Sequence, residues 1–167
     1  MKVTALLLIA ACTCTGIRAQ NISLNILVRN SGKVSNNGTV MLEVTVCNTD
    51  ATTSVPVYKL KPQISIPSTV NIPASGHVLP AGWAITANKG TQLWLSNGTD
   101  TIAAGDCRTI LIAMKGVAVG GAATVSGNLL FANGMAPGNI TGGQLPGDSP
   151  GDNSSTSTVE VVNGTKK

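Results

Sequence analysis

The chain has 167 residues, a length that fits one domain. Charged residues make up 11% of the sequence. Its formal net charge of +4 falls to +2 without residues 1–19, because Lys2 and Arg18 leave the 11 basic residues while all 7 acidic ones remain. The basic residues between positions 29 and 89 are scattered and have almost no aromatic neighbours for base stacking. We therefore expect no nucleic-acid partner.

The start of the chain predicts an export signal. Residues 3–11 form an apolar run, and small residues follow it up to Ala19. The run is about half of the ~20 residues that a membrane-spanning helix needs, so we expect cleavage after Ala19 and no membrane span. The alternative is a lipoprotein signal, because residues 9–12 (IAAC) resemble a lipobox in which Cys12 is lipidated. Either signal places the protein at the cell surface or outside the cell, with the periplasm as an alternative.

Short β-strands are predicted along the rest of the chain, because apolar and polar residues alternate with a period of two. The predicted strands cover residues 22–29, 40–47, 58–66, 83–86, 92–96, 108–114, 123–131 and 155–162. Pro62 has no N–H for a ladder, so its strand is expected at a sheet edge or broken at that point. No helical period follows the signal. The pattern predicts an all-β sandwich of about eight or nine strands.

Three segments resemble a known family of bacterial surface repeats, the "domain of unknown function eleven". They are residues 38–50 (GTVMLEVTVCNTD), 78–85 (VLPAGWAI) and 147–162 (GDSPGDNSSTSTVEVV). The resemblance implies an immunoglobulin-like β-sandwich over residues 20–163, followed by a polar tail at 164–167. It also implies a structural or adhesive role, with no catalytic residues and no cofactor. This chain departs from the family because it carries cysteines and a single copy of the repeat.

Two cysteines, Cys47 and Cys107, lie beyond the signal. Exported chains reach an oxidising compartment, so a disulfide between them is predicted, with two free thiols as the alternative. The resemblance implies that the strand ending at Cys47 pairs antiparallel with the strand that starts at Cys107. Alternation then places both sulfurs on the outer face of one sheet, away from the core.

Groups with catalytic chemistry are scarce, and we expect no enzymatic activity. His77 is the only histidine, and it is expected to be an exposed loop residue. A Ser-His-acid triad would have to use it, and its nearest serine is too close in sequence to face it. Asp148, Asp152 and Asn153 form a weak calcium candidate in a Gly/Pro turn, because hard cations take carboxylate and amide oxygens. The alternative is a solvated turn without an ion.

Other residues suggest modification or binding at the surface. The sequence Asp100-Thr101-Ile102 resembles the Asp-Ser/Thr-apolar motif that some bacteria O-glycosylate, which makes Thr101 a candidate. Trp83 is expected to pack against the sandwich, whereas Trp94 is expected to face solvent or a partner; together they are candidates for a sugar-stacking platform.

Two functions remain after the enzyme is set aside. The first is a structural subunit that polymerises by donating its first strand to a neighbour's sheet. The donor-strand residues are the apolar positions of that strand, Ile22, Leu24, Ile26 and Val28. The alternative is a monomeric or lipid-anchored accessory module that binds a glycan or another surface protein.

Overall fold

Two β-sheets pack face to face in a computed structural model, which describes residues 21–132, 140–141, 145 and 148–164. The predicted signal and Cys12 lie outside these residues. The strands are β1 (Ile22–Val28), β2 (Lys33–Ser35), β3 (Thr39–Asn48), β4 (Leu60–Ser65), β5 (Val70–Asn71), β6 (Ala84–Asn88), β7 (Gln92–Ser96), β8 (Cys107–Gly116), β9 (Gly120–Ala132), β10 (Ile140–Thr141) and β11 (Ser154–Val162). The only helical turns in the described residues are the 3-10 turns Asn30–Gly32 and Pro150–Asp152.

The order of the strands is that of an immunoglobulin-like sandwich. Sheet A has the order β1-β3-β8-β5, and sheet B has the order β2-β11-β9-β4-β7-β6, with β10 paired to β9. Only β2 and β11 pair in parallel; the other strand pairs are antiparallel. Four strands on one side and an extended sheet on the other match the variable-type layout. The predicted fold class is therefore confirmed.

The core between the sheets is built mainly from aliphatic side chains. Alternate residues of β3 point inward and are at most 2% exposed, and those of β1 are at most 4% exposed. Trp83 and Phe131 also lie in this core, at 6% and 3% exposed. The expectation that Trp83 packs against the sandwich is confirmed. Branched aliphatic residues suit a thin core between two pleated faces, which is why so few aromatic residues suffice.

Pro62 lies in a central strand, so the expected edge position is wrong and the alternative, an interruption at the proline, holds on one side of the strand. β4 runs between β9 and β7, and its ladder with β9 continues through Pro62, which faces Leu129. The ladder between β4 and β7 begins only at Gln63. The strand is thus interrupted on one side only, which is how a proline is accommodated inside this sheet.

Cys47 and Cys107 form the predicted disulfide. They lie directly opposite each other on β3 and β8, with their Cα atoms 4.0 Å apart. Cys47 is half-buried and Cys107 is exposed, on the face of sheet A that points away from the core. The bond therefore staples two neighbouring strands of one sheet, as the implied topology requires.

Removing this disulfide should destabilise the protein without changing its topology. It closes a loop over a sequence separation of 60, which corresponds to about 4 kcal/mol of unfolding free energy in the chain-entropy model. We expect the Cys47→Ser, Cys107→Ser double variant to unfold at a clearly lower urea concentration than the oxidised protein. Reduction of the wild type should give the same shift, and an unchanged midpoint would contradict this role.

Candidate functional site

β1 is an edge strand whose apolar residues complete the core. It pairs in sheet A with β3 alone, in an unbroken register from Ile22 opposite Asn48 to Val28 opposite Leu42. Its four inward residues are those predicted as a donor strand: Ile22, Leu24, Ile26 and Val28. In the described structure they fill the chain's own core.

Side chains, rather than a further strand, satisfy the outer edge of β1. The N–H of Ile22 donates to Asp148 Oδ1 at 2.9 Å. Two serines of β11 act in the same way, because Ser155 Oγ accepts from the Ile26 N–H and Ser157 Oγ accepts from the Val28 N–H, at 3.1 and 3.0 Å. These contacts cover an edge that would otherwise be open to pairing with another chain.

The connection after β1 is an unusual left-handed turn. Asn30, Ser31 and Gly32 have φ values of 55°, 53° and 75° in succession. A Cβ added at Gly32 would lie 2.6 Å from the Thr158 carbonyl oxygen, so this position requires glycine. Left-handed backbone is unfavourable for most residues with a Cβ but is tolerated by asparagine, so the strain falls mainly on Ser31. We refer to residues 30–32 as the hinge.

The calcium candidates lie together beside the start of β1. Asp148 is buried, and its second carboxylate oxygen accepts a hydrogen bond from Asn153 Nδ2. Asp152 Oδ2 accepts from Asn21 Nδ2 at 3.2 Å, while one oxygen each of Asp152 and Asn153 is buried without a partner. The described residues contain no group of three acidic, histidine or cysteine side chains suited to a metal ion. The contacts shown for Asp148 anchor β1, and calcium binding stays a prediction.

Thr101, the glycosylation candidate, is exposed on the loop between β7 and β8. Its carbonyl accepts from Arg108 Nη2 at 3.3 Å. The preceding Asp100 accepts from Trp83 Nε1 and Arg108 Nε, both at 2.8 Å, so this segment has a fixed shape. Asn97, which begins a sequon in the same loop, is fully buried. Thr101 is therefore accessible, and its modification stays a prediction.

His77 has a structural position instead of the expected exposed one. It is half-buried, and its Nδ1 accepts a hydrogen bond from the Ala113 N–H at 3.1 Å. Nε2 must then carry the proton, and it donates to the Pro73 carbonyl oxygen at 3.0 Å. The histidine thus provides a hydrogen-bond acceptor for a backbone N–H of β8, next to the bridge between Val78 and Leu111.

Lys61 is a buried charge that the sequence pattern did not reveal. It lies on β4 at a position that alternation assigns to the outer face, yet it is only 2% exposed. Its Nζ donates to Ser96 Oγ at 3.0 Å. Burial lowers the pKa of Lys61 below the ordinary lysine value, because the charged form loses its hydration.

The solved structures to which this chain is similar share little of its sequence. No family model matches the chain, and no curated protein matches it. Among solved structures, a non-cellulosomal cohesin from Archaeoglobus fulgidus has a TM-score of 0.49 at 12% identity, covering 84% of this chain and 92% of the other. The CARDB domain of a Pyrococcus furiosus protein, solved with di-metal ions, has a TM-score of 0.47 at 14% identity, covering 90% of this chain and 100% of the other.

The full-length major pilin SpaD of Corynebacterium diphtheriae has a TM-score of 0.49 at 9% identity, covering 83% of this chain and 33% of the pilin. TM-scores below 0.5 at such identities carry no argument, and the fold is defined by the strand order described above. The chain is an immunoglobulin-like β-sandwich protein, and its membership of the repeat family stays a prediction. In the part of the chain that the structure describes, no helix is long and apolar enough to cross a bilayer.

Burial of Lys61 should make stability depend on pH. The unfolded chain binds the Lys61 proton more tightly than the folded one, so unfolding free energy should rise with pH between the lowered pKa and the ordinary lysine value. We expect Lys61→Met to be more stable than wild type at neutral pH, with the gain shrinking as pH rises through that window. Urea unfolding at several pH values measures this, with Lys115→Met at an exposed position as the control for loss of one charge. An equal gain in unfolding free energy at every pH would contradict this effect of Lys61 burial.

Proposed function

We propose that this protein is an exported structural or adhesive module, and that its copies join into filaments or a surface layer by exchanging β1. The proposal rests on the position of β1 in the sheet and on the connection that follows it. It is a complete edge strand, and it is connected to the rest of the sandwich through the left-handed hinge.

Strain in the hinge favours the release of β1 from the core of its own sandwich. A left-handed residue other than glycine or asparagine costs on the order of 1 kcal/mol or more, and Ser31 in the hinge is such a residue. Opening the hinge lets Asn30 and Ser31 adopt extended backbone, which removes that cost. Short strained connections of this kind favour exchange of an element between chains.

The exchanged form preserves the contacts of β1. In a neighbouring copy, the apolar residues of β1 would fill the same core. Its N–H groups would meet the same acceptors, Asp148, Ser155 and Ser157. The balance between the two forms then depends on hinge strain and on the entropy lost when chains associate. Reciprocal exchange gives closed dimers, whereas head-to-tail exchange gives open filaments.

A pair of engineered cysteines distinguishes β1 in its own sheet from β1 in a neighbour's sheet. Asn25 on β1 lies directly opposite Thr45 on β3. In the Asn25→Cys, Thr45→Cys variant, exchange should produce disulfides between chains. We therefore expect a ladder of covalent multimers on a non-reducing denaturing gel.

The control is the Thr45→Cys, Thr109→Cys variant, because Thr45 lies opposite Thr109 on β8 and neither strand is exchanged. This variant should run as a monomer, and thiol titration should show that both engineered pairs have closed. Fully closed pairs with only monomers in both variants would overturn the proposal and favour the monomeric accessory module.

Relieving the hinge should weaken assembly. Glycine adopts left-handed backbone without a Cβ penalty, so Ser31→Gly should stabilise the closed monomer by about 1 kcal/mol. We expect a larger monomer fraction in analytical ultracentrifugation at equal protein concentration. Ser68→Gly, at an exposed loop position outside the hinge, is the control. An increase in multimers for Ser31→Gly would show that hinge strain does not drive exchange.

A further inference from the structure

The outer face of sheet B carries two aligned rows of uncharged side chains. Register places the first row across β7, β4, β9 and β11, and the second row lies beside it on the same strands. The first row is Trp94, Gln63, Asn128 and Ser154, and the second is Gln92, Ser65, Ser126 and Thr156. With strands about 4.8 Å apart, each row is about 14 Å long. We refer to these eight residues as the polar face.

The polar side chains of this face have hydrogen-bonding capacity that the protein itself does not use. All eight residues are exposed or half-buried. Within the described part of the chain, no side-chain hydrogen bond involves any of the seven polar members. Amide and hydroxyl groups both donate and accept, so they suit a ligand that presents many hydroxyl groups.

Trp94 supplies the apolar part of the polar face. It is half-buried on the outer side of β7, and Lys89 Nζ lies 5.2 Å from the centroid of its ring. This face of the ring thus attracts a positively polarised group, and a ligand that stacks there must displace the flexible Lys89 side chain. The C–H groups on one side of a sugar ring are such a group, and an aromatic ring combines this contact with apolar burial.

The opposite surface of the sandwich differs in chemistry. The outer face of sheet A carries the disulfide, an ion pair between Arg29 and Glu43 at 2.8 Å, and Leu27 at 54% exposed. The polar face has no formal charge at any of its eight positions. Charge lies at its margins instead, at Lys89 beside Trp94 and in the Lys33–Glu160 ion pair at 3.6 Å, so an uncharged ligand suits the centre of the face.

We propose that the polar face binds a neutral polysaccharide. One sugar ring stacks on Trp94, and the hydroxyl groups of neighbouring rings bond to Gln63 and Asn128 along the row. The open face of the sheet suits an extended chain of several rings rather than a single sugar in a pocket. This binding does not rest on exchange of β1, because that strand belongs to sheet A.

Depletion from solution by insoluble polysaccharides tests the proposal. The probes are cellulose, chitin, starch and a β-1,3-glucan, with alginate beads as the anionic comparison. We expect at least one neutral probe to retain the protein, also at about 0.5 M NaCl, where surface electrostatics are screened. Trp94→Ala and the Gln63→Ala, Asn128→Ala double variant should each lose about tenfold in affinity, or about 1.4 kcal/mol.

Leu27→Ala, on the opposite face, is the matched control and should bind as the wild type does. Thermal unfolding of every variant establishes that it is folded, and Trp94→Phe should retain part of the affinity because a ring remains. Three results would overturn the proposal: no retention by any neutral probe, wild-type affinity in the folded Gln63→Ala, Asn128→Ala variant, or retention only by alginate that salt abolishes.

Discussion

The antiparallel register of β3 on β8 is the constraint on which the rest of the molecule depends. Val44 lies opposite Ile110 and Cys47 lies opposite Cys107, so one side of the pair is mainly apolar and the other carries the disulfide. A slip of one residue would exchange the two faces, burying the sulfurs and exposing the core residues. The disulfide prevents that slip, and β1 takes its own register from β3.

The strands that could be predicted from the sequence are those that the local residue pattern favours. β3 and β8 have long runs of inward β-branched or aliphatic residues, with Met41, Leu111 and Ala113 as the apolar exceptions at outward positions, and the two cysteines stand at matching ends of these strands. β2, β5 and β10 have only two or three residues each, too few to show a period, and they form because longer neighbours offer them a ladder. Length of the periodic run therefore separates the predicted strands from the others.

Positions determined by tertiary contacts could not be predicted in the same way. Pro62 is accommodated by an interruption that involves β7, a strand 30 residues later in the chain. His77 is fixed by a backbone N–H of β8, and Lys61 is buried at a position that alternation assigns to solvent. The hinge was equally hidden, because asparagine, serine and glycine indicate a turn without indicating that all three residues are left-handed.

The two sheets have separate potential roles. Sheet A contains the strand proposed to link copies, and the outer side of sheet B contains the polar face proposed to bind polysaccharide. An assembly through β1 would repeat the polar face along a filament, so that weak contacts with one polymer could act together. Assembly would then give this sandwich the multiplicity that tandem arrays of domains have within one chain.

The most direct test of this account is the mass of the native particle. Light scattering behind size exclusion, applied to the protein purified from its own cells and checked by negative-stain microscopy, measures it without altering β1. The account predicts a broad distribution of multimers with visible filaments. A single monomeric peak at all concentrations would contradict it.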